Sequence, residues 1–234
     1  MHSVHLVRVP ARVGALALAR PPRDVPGLRH AEVMATMTLG APVVSPQRLQ
    51  VRRLAVFARW EDEAALERFL AAGRLGRTLA DGWHVRLEFL RRWGQVRRLG
   101  PLPEIAGRSD PAEPVVAVTV ARMRIPEVPR FVHWGRPVER QVRDHPAATL
   151  ALAAYLPPRT VSTFSVWRSA REMTGMVHGR DASAGGRHGG EVGARHARAM
   201  RERERRDFHH EFTTLRFRPL SEHGTWDGRR VLPG

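Results

Sequence analysis

The chain has 234 residues, enough for one large domain or two small ones, each able to bury a core. It carries 39 basic and 23 acidic side chains, a formal net charge of +16, and no cysteine. The missing thiol excludes disulfides, thiolate catalysis and Cys-ligated zinc or iron–sulfur clusters.

A charge of this size ordinarily points to nucleic acid, an anionic membrane or an acidic protein. Here every basic side chain is arginine; there is no lysine or asparagine, and only two isoleucines, the mark of a GC-biased coding sequence. The arginines are interleaved with acids, as in "RERERRD" (201–207). A nucleic-acid footprint gathers its cations on one face with aromatics between them, so no nucleic-acid partner is expected. The surface suits an acidic protein partner, and peripheral contact with a membrane stays open. "VGALALA" (13–19) and "PAATLALAAYLPP" (146–158) are too short to span a bilayer, so a cytoplasmic chain without a transmembrane segment is expected.

The first strand is predicted at "VHLVRV" (4–9). A less regular apolar stretch, "EVMATMTLG" (32–40), follows a turn at Pro26-Gly27. "RRLAVFARW" (52–60) alternates and ends in tryptophan. A helix follows, with Asp62 placed to cap it and Ala65, Leu66, Phe69 and Leu70 forming its apolar stripe. "WHVRLEFLRRW" (83–93) is the fourth strand, and the Pro/Gly-rich "LGPLPEIAGRSDPAEP" (99–114) is a linker.

The pattern then repeats. "PVVAVTVARM" (114–123) is a strand, "FVHWGRP" (131–137) lies in a helix, and "ATLALAAYL" (148–156) is again a less regular stretch. "RTVSTFSVW" (159–167) ends in tryptophan, and Ser169 caps the helix after it as Asp62 does in the first half. "EFTTLRFRPL" (211–220) closes the series. Phe57 precedes Trp60 by three residues, and Phe164 precedes Trp167 by three. In a strand that spacing sends the two rings to opposite faces, so each strand is expected to be covered on both sides.

The order strand, helix, strand, strand, helix, strand is that of a ferredoxin-like βαββαβ unit. The predicted fold is therefore α+β, two tandem ferredoxin-like repeats packed as an intramolecular dimeric α+β barrel. The units are 1–107 and 108–234, and the space between the two sheets is the expected place for an apolar ligand.

A further helix is predicted over 191–206. Its apolar stripe runs through Val192, His196, Ala199 and Met200, with Glu202 and Arg206 spaced to pair. A neutral imidazole on such a stripe is suited to bind haem iron axially, and equally suited to be a core histidine bonded to a backbone carbonyl. His133 is a second candidate, beside Trp134 near where a barrel mouth would lie. His209 and His210 are adjacent, so their side chains diverge and do not share a metal. There is no Gly-x-Ser-x-Gly elbow, and "AGGRHGG" (184–190) lacks the strand and the Gly-Lys-Ser/Thr ending of a phosphate loop.

"TVSTFSVWRSAREM" (160–173), "RHARAMR" (195–201), "LRFRPL" (215–220) and "GTWDG" (224–228), in that order, resemble the spheroidene monooxygenase family of carotenoid-modifying enzymes. "PGLR" (26–29), "LAVFARWEDEAAL" (54–66) and "PVVAVTVARMRI" (114–125) fit it more loosely. The resemblance implies a haem-associated monooxygenase that oxygenates an apolar, carotenoid-like substrate with dioxygen and electrons from a ferredoxin-type donor. On that reading His196 is the catalytic axial ligand, and Phe164, Trp167 and His133 belong to the cofactor and substrate cavity. The chain departs from the family pattern where "GAR" (193–195) stands before the histidine, in the glycine-rich insertion over 178–194, and around "SPQRLQ" (45–50). The alternative, from another class, is an α+β-barrel protein, non-catalytic or cofactor-free, that binds an apolar or small aromatic ligand.

Overall fold

The computed structural model describes residues 1–22, 24–42, 45–178 and 205–234, and eight strands and five complete α-helices follow one another among them. The first half runs β1 (His2–Arg8), α1 (Ala11–Ala19), β2 (Leu28–Met37), β3 (Gln50–Trp60), α2 (Glu63–Ala71), α3 (Gly73–Ala80) and β4 (Trp83–Gln95). The second runs β5 (Val115–Met123), α4 (Val128–Arg143), β6 (Ala148–Leu156), β7 (Thr160–Trp167), α5 (Ala170–His178) and β8 (His209–His223). The helix predicted over 191–206 lies, but for its last two residues, outside the described residues.

Each half forms a sheet in the order 4-1-3-2, and the halves join edge to edge through β2 with β6 and β4 with β8. The result is a closed barrel, β1-β3-β2-β6-β7-β5-β8-β4, antiparallel throughout. Closure leaves no free strand edge, which a four-stranded unit alone would have on both sides. The predicted α+β barrel of two ferredoxin-like repeats is the fold of this chain.

Strand alternation decides what enters the barrel. Val4, Phe57, Leu87, Val118, Phe164 and Leu215 point inward into one continuous apolar cluster. Val7, Leu54, Val56 and Trp60 point outward beneath the helices of the first half, and Val115 and Trp167 beneath those of the second. Each buried large side chain contributes roughly 1.5–3 kcal/mol. The space between the sheets, expected to hold a ligand, is filled by these side chains.

The register makes the repeat quantitative. Phe57 faces Val4 on β1 and Glu32 on β2; Phe164 faces Val118 on β5 and Leu152 on β6. The register shifts at matching places too, between Leu28 and His30 and between Ala148 and Leu150. Both tryptophan indoles donate to a serine: Trp60 to Ser3 (2.8 Å), Trp167 to Ser165 (2.9 Å). Ser3 is paired with Ala58, and Ala117 with Ser165. The serine has changed strands within an equivalent pair, and each buried N–H stays satisfied.

The helix starts follow the predicted caps. Asp62 accepts from the Ala65 amide (2.7 Å). Ser169 accepts from the Glu172 amide (3.2 Å), and its hydroxyl donates to the Glu172 carboxylate (2.8 Å). Ala65, Leu66 and Leu70 are buried as the stripe requires, and Phe69 packs on Trp60 with centroids 5.2 Å apart. The first half has one helix more than predicted, because the chain turns at Gly73, φ +65°, and restarts as α3.

The two ends of the barrel are closed differently. Val96, Leu99 and Leu102, entering and within the linker, pack on the interior cluster at one end; Trp226, Val231 and Leu232 of the C-terminal tail pack on it as well. Glu222 anchors that tail, accepting from the Trp83 indole (2.6 Å) and from the Val231 and Leu232 amides. Burial opposes charge on Glu222, but these donors and Arg230 outweigh it and hold its pKa below the usual range.

Candidate functional site

At the linker end, the barrel interior changes from apolar to polar. His2 lies on Phe57, centroids 5.8 Å apart and planes 13° apart, and leans on Phe217 at 5.1 Å. Glu32, a buried carboxylate, has an oxygen 3.3 Å from His30 Nε2. Arg59 donates to the linker carbonyls of Leu99 (3.3 Å) and Pro101 (3.0 Å). A cleft of about 420 Å³ reaches His2 and Arg59 and is walled by Leu87, Phe89, Leu102 and Leu220. Burial, then the N-terminal ammonium, Arg59 and His30, push His2 down to about 3, so its ring is neutral near pH 7.

On the outer face of the same strands stands a ladder of three imidazoles. His5 pairs with His84 across β1 and β4, and His84 with His223 across β4 and β8. The ring centroids are 5.0 and 4.6 Å apart, and the planes of the second pair are nearly parallel at 7°. Among the described residues neither nitrogen of His84 has a hydrogen-bond partner. Burial, then His84, push His5 down to about 3; burial, then His223, push His84 down to about 4. Stacked planes aim their lone pairs side by side rather than at one point. Among the described residues no three His, Cys, Asp or Glu side chains could hold a metal ion.

A third set lies between α4 and the start of β8. His209 is buried among Phe131, Phe208 and Phe212 (centroids 5.1–5.9 Å), while His210 is exposed, the divergence expected of neighbours in a strand. Arg130 donates to the Arg206 carbonyl, and Arg206 pairs with Glu127 at 2.5 Å. The chain thus re-enters the described fold at Arg205–Arg206 pinned to α4.

The chain is 32% identical over 221 residues to spheroidene monooxygenase of Rubrivivax gelatinosus, covering 90% of this chain and 76% of that protein. The chain belongs to the spheroidene monooxygenase family. No family model matches it. Among solved structures it is similar to a putative monooxygenase from Lactobacillus acidophilus NCFM (6% identity, 95% and 94% of the two chains covered, TM-score 0.37). It is also similar to an anthrone oxidase-like protein (11%, 100% and 95%, TM-score 0.34) and a heme-degrading enzyme from Listeria monocytogenes (10%, 91% and 98%, TM-score 0.28).

The residues singled out by resemblance to the spheroidene monooxygenase family are not brought together. His196 lies outside the described residues. Phe164 is inside the barrel, 6.0 Å from Trp83 centroid to centroid. Trp167 is on the outer side, packed with Ala170, Met173 and Met176 of α5 and 5.0 Å from the His145 ring. The sheet therefore separates the two rings, and they do not wall one cavity. His133 is exposed on α4, edge-on to Trp134 at 5.3 Å. Sequence reasoning passed over His2, His30, Glu32 and Arg59. The signal was available in the repeat, since Arg59 stands where the second copy has Val166, but the β2 partners emerge only from the register.

Proposed function

We propose that the chain is a haem-dependent monooxygenase that oxygenates a long apolar, carotenoid-like substrate, with dioxygen and electrons from an acidic ferredoxin-type donor. The observation that carries this reading is the 32% identity to spheroidene monooxygenase of Rubrivivax gelatinosus over 90% of the chain.

The donor chemistry of the chain fits a haem held by imidazole. There is no cysteine to give a thiolate, and the single tyrosine, Tyr155, is held protonated by burial, its hydroxyl donating to the Pro158 carbonyl (2.9 Å). Histidine remains, and His196, on the predicted apolar stripe within "RHARAMR", is the proposed ligand. Haem bound there supplies activation of dioxygen. The chain's own part is to keep the axial imidazole neutral and to hold an apolar substrate away from water. The proposed docking place for the donor is the cleft of about 510 Å³ lined by Arg97, Arg122, Arg159, Gln95, His210 and Glu211, whose excess of cations favours an acidic surface.

No helix among the described residues is long and apolar enough to cross a membrane. Peripheral contact with a membrane is the proposed route for an apolar substrate. The test is the absorption spectrum of the chain purified with haem supplied. A Soret band that is lost or shifted in His196→Ala is the expected result; no band, or one unchanged by the substitution, overturns the haem assignment.

A further inference from the structure

The two halves of the barrel differ most sharply at four inward positions, and all four lie together. Register places His2 where the second copy has Val116, Arg59 where it has Val166, His30 where it has Leu150, and Glu32 where it has Leu152. The second-copy residues are all buried in the interior cluster. An apolar quartet therefore suffices to build this end of the sheet. Replacing buried ionic groups by well-packed apolar ones is commonly neutral or stabilising, so the polar quartet is not explained by stability. Two of the four, His2 and Arg59, line the cleft, and a buried imidazole facing a cleft is a candidate functional group.

We propose that this end of the barrel is a binding site for a small neutral apolar molecule carrying one oxygen function, an alcohol, phenol or ketone. The walls are apolar, from Leu87, Phe89, Leu102 and Leu220. The charged groups at the rim have their hydrogen bonds taken up, Arg29 with Glu61 (3.0 Å), Glu88 with Arg218 (2.5 Å), the Met1 ammonium with the Trp60 carbonyl (3.2 Å) and Arg59 with two linker carbonyls, which leaves the apolar walls and His2 to meet a ligand. His2 lines the cleft, is 4% exposed, and its Nδ1 has no hydrogen-bond partner among the described residues. A neutral imidazole both donates and accepts, which suits a hydroxyl or a carbonyl equally. The Glu32–His30 pair lies behind it on β2, and the linker, packed against the interior at Leu99 and Leu102, covers the mouth.

The site consists of described residues only and does not depend on iron at His196. The test is calorimetric titration of the full chain, with and without supplied haem, using 2-naphthol, 2-acetonaphthone and naphthalene. Expected are one 2-naphthol and one 2-acetonaphthone bound per chain, each about tenfold tighter than naphthalene, the worth of one hydrogen bond. His2→Val should reduce 2-naphthol and 2-acetonaphthone to the affinity of naphthalene, and Leu102→Trp, which fills the cleft from the linker and leaves the quartet untouched, should abolish binding. Equal affinity for the three probes, no binding, or 2-naphthol binding unchanged in either variant overturns the proposal. A second measurement guards the premise: a chain with His2→Val, His30→Leu, Glu32→Leu and Arg59→Val together should keep its Tm or raise it, and a Tm lowered by more than a few degrees would make the quartet structural. A lost Soret band in the haem experiment leaves each of these outcomes unchanged.

Discussion

His5 and His84 are neutral in the folded barrel because a proton on either would be buried beside another imidazole and Arg86, with Glu67 the one opposing charge near His84. Their folded pKa values, about 3 and about 4, lie below the 6.5 of a free histidine. Between those limits the unfolded chain binds protons that the folded chain refuses, so stability falls as pH drops below 6.5 and the fall ends near the folded values. Each histidine adds to the loss over that window, because each binds a proton only once the chain unfolds. The second copy has Thr119 and Thr214 at the equivalent positions. The double variant His5→Thr, His84→Thr should therefore show a much flatter loss of stability from pH 6.5 to 4, measured by urea unfolding across that range; an unchanged slope would contradict the assignment.

At the scale of the element, the caps and one crowded glycine carry measurable energy. Asp62→Ala and Ser169→Ala each remove an oxygen that accepts from an N-terminal amide, at a cost of about 1 kcal/mol. This should appear as a lower urea midpoint with an unchanged m-value. Gly14 in α1 is different, because a Cβ there would stand 1.8 Å from the Val51 carbonyl oxygen. Gly14→Ala should destabilise in spite of the roughly 1 kcal/mol that alanine ordinarily adds inside a helix; a raised Tm would show that α1 can move off the sheet. These elements were readable in advance where one signal dominated. Alternation ending in Trp60 and Trp167, followed by Asp62 and Ser169, placed β3, β7 and the helices after them. The restart at Gly73 was not readable, since the apolar spacing runs on through the break. The register of β2 and β6 was hidden as well, because a bulge in each strand shifts the pairing without altering composition.

For the whole molecule, the repeat predicted the closed barrel, but the same regularity misdirected the site. An empty space between two sheets was a natural expectation, whereas the inward side chains fill it and leave clefts at the rims. Phe164 and Trp167 were joined into one cavity although their own three-residue spacing puts the sheet between them. We propose 1–107 and 108–234 as the two folding units. Residues 108–234 alone would expose the inner face and both outer strands, β6 and β8, so that piece should elute as a dimer that rebuilds the barrel from two copies; a stable monomer would contradict the proposal.

Oxygen transfer tests the central claim most directly. With a reduced ferredoxin system, an acyclic polyene and ¹⁸O₂, the haem-loaded chain should consume oxygen and return a product carrying ¹⁸O, and His196→Ala should do neither. Oxygen uptake that is equal without haem, or no uptake in any condition, would contradict a haem-dependent monooxygenase.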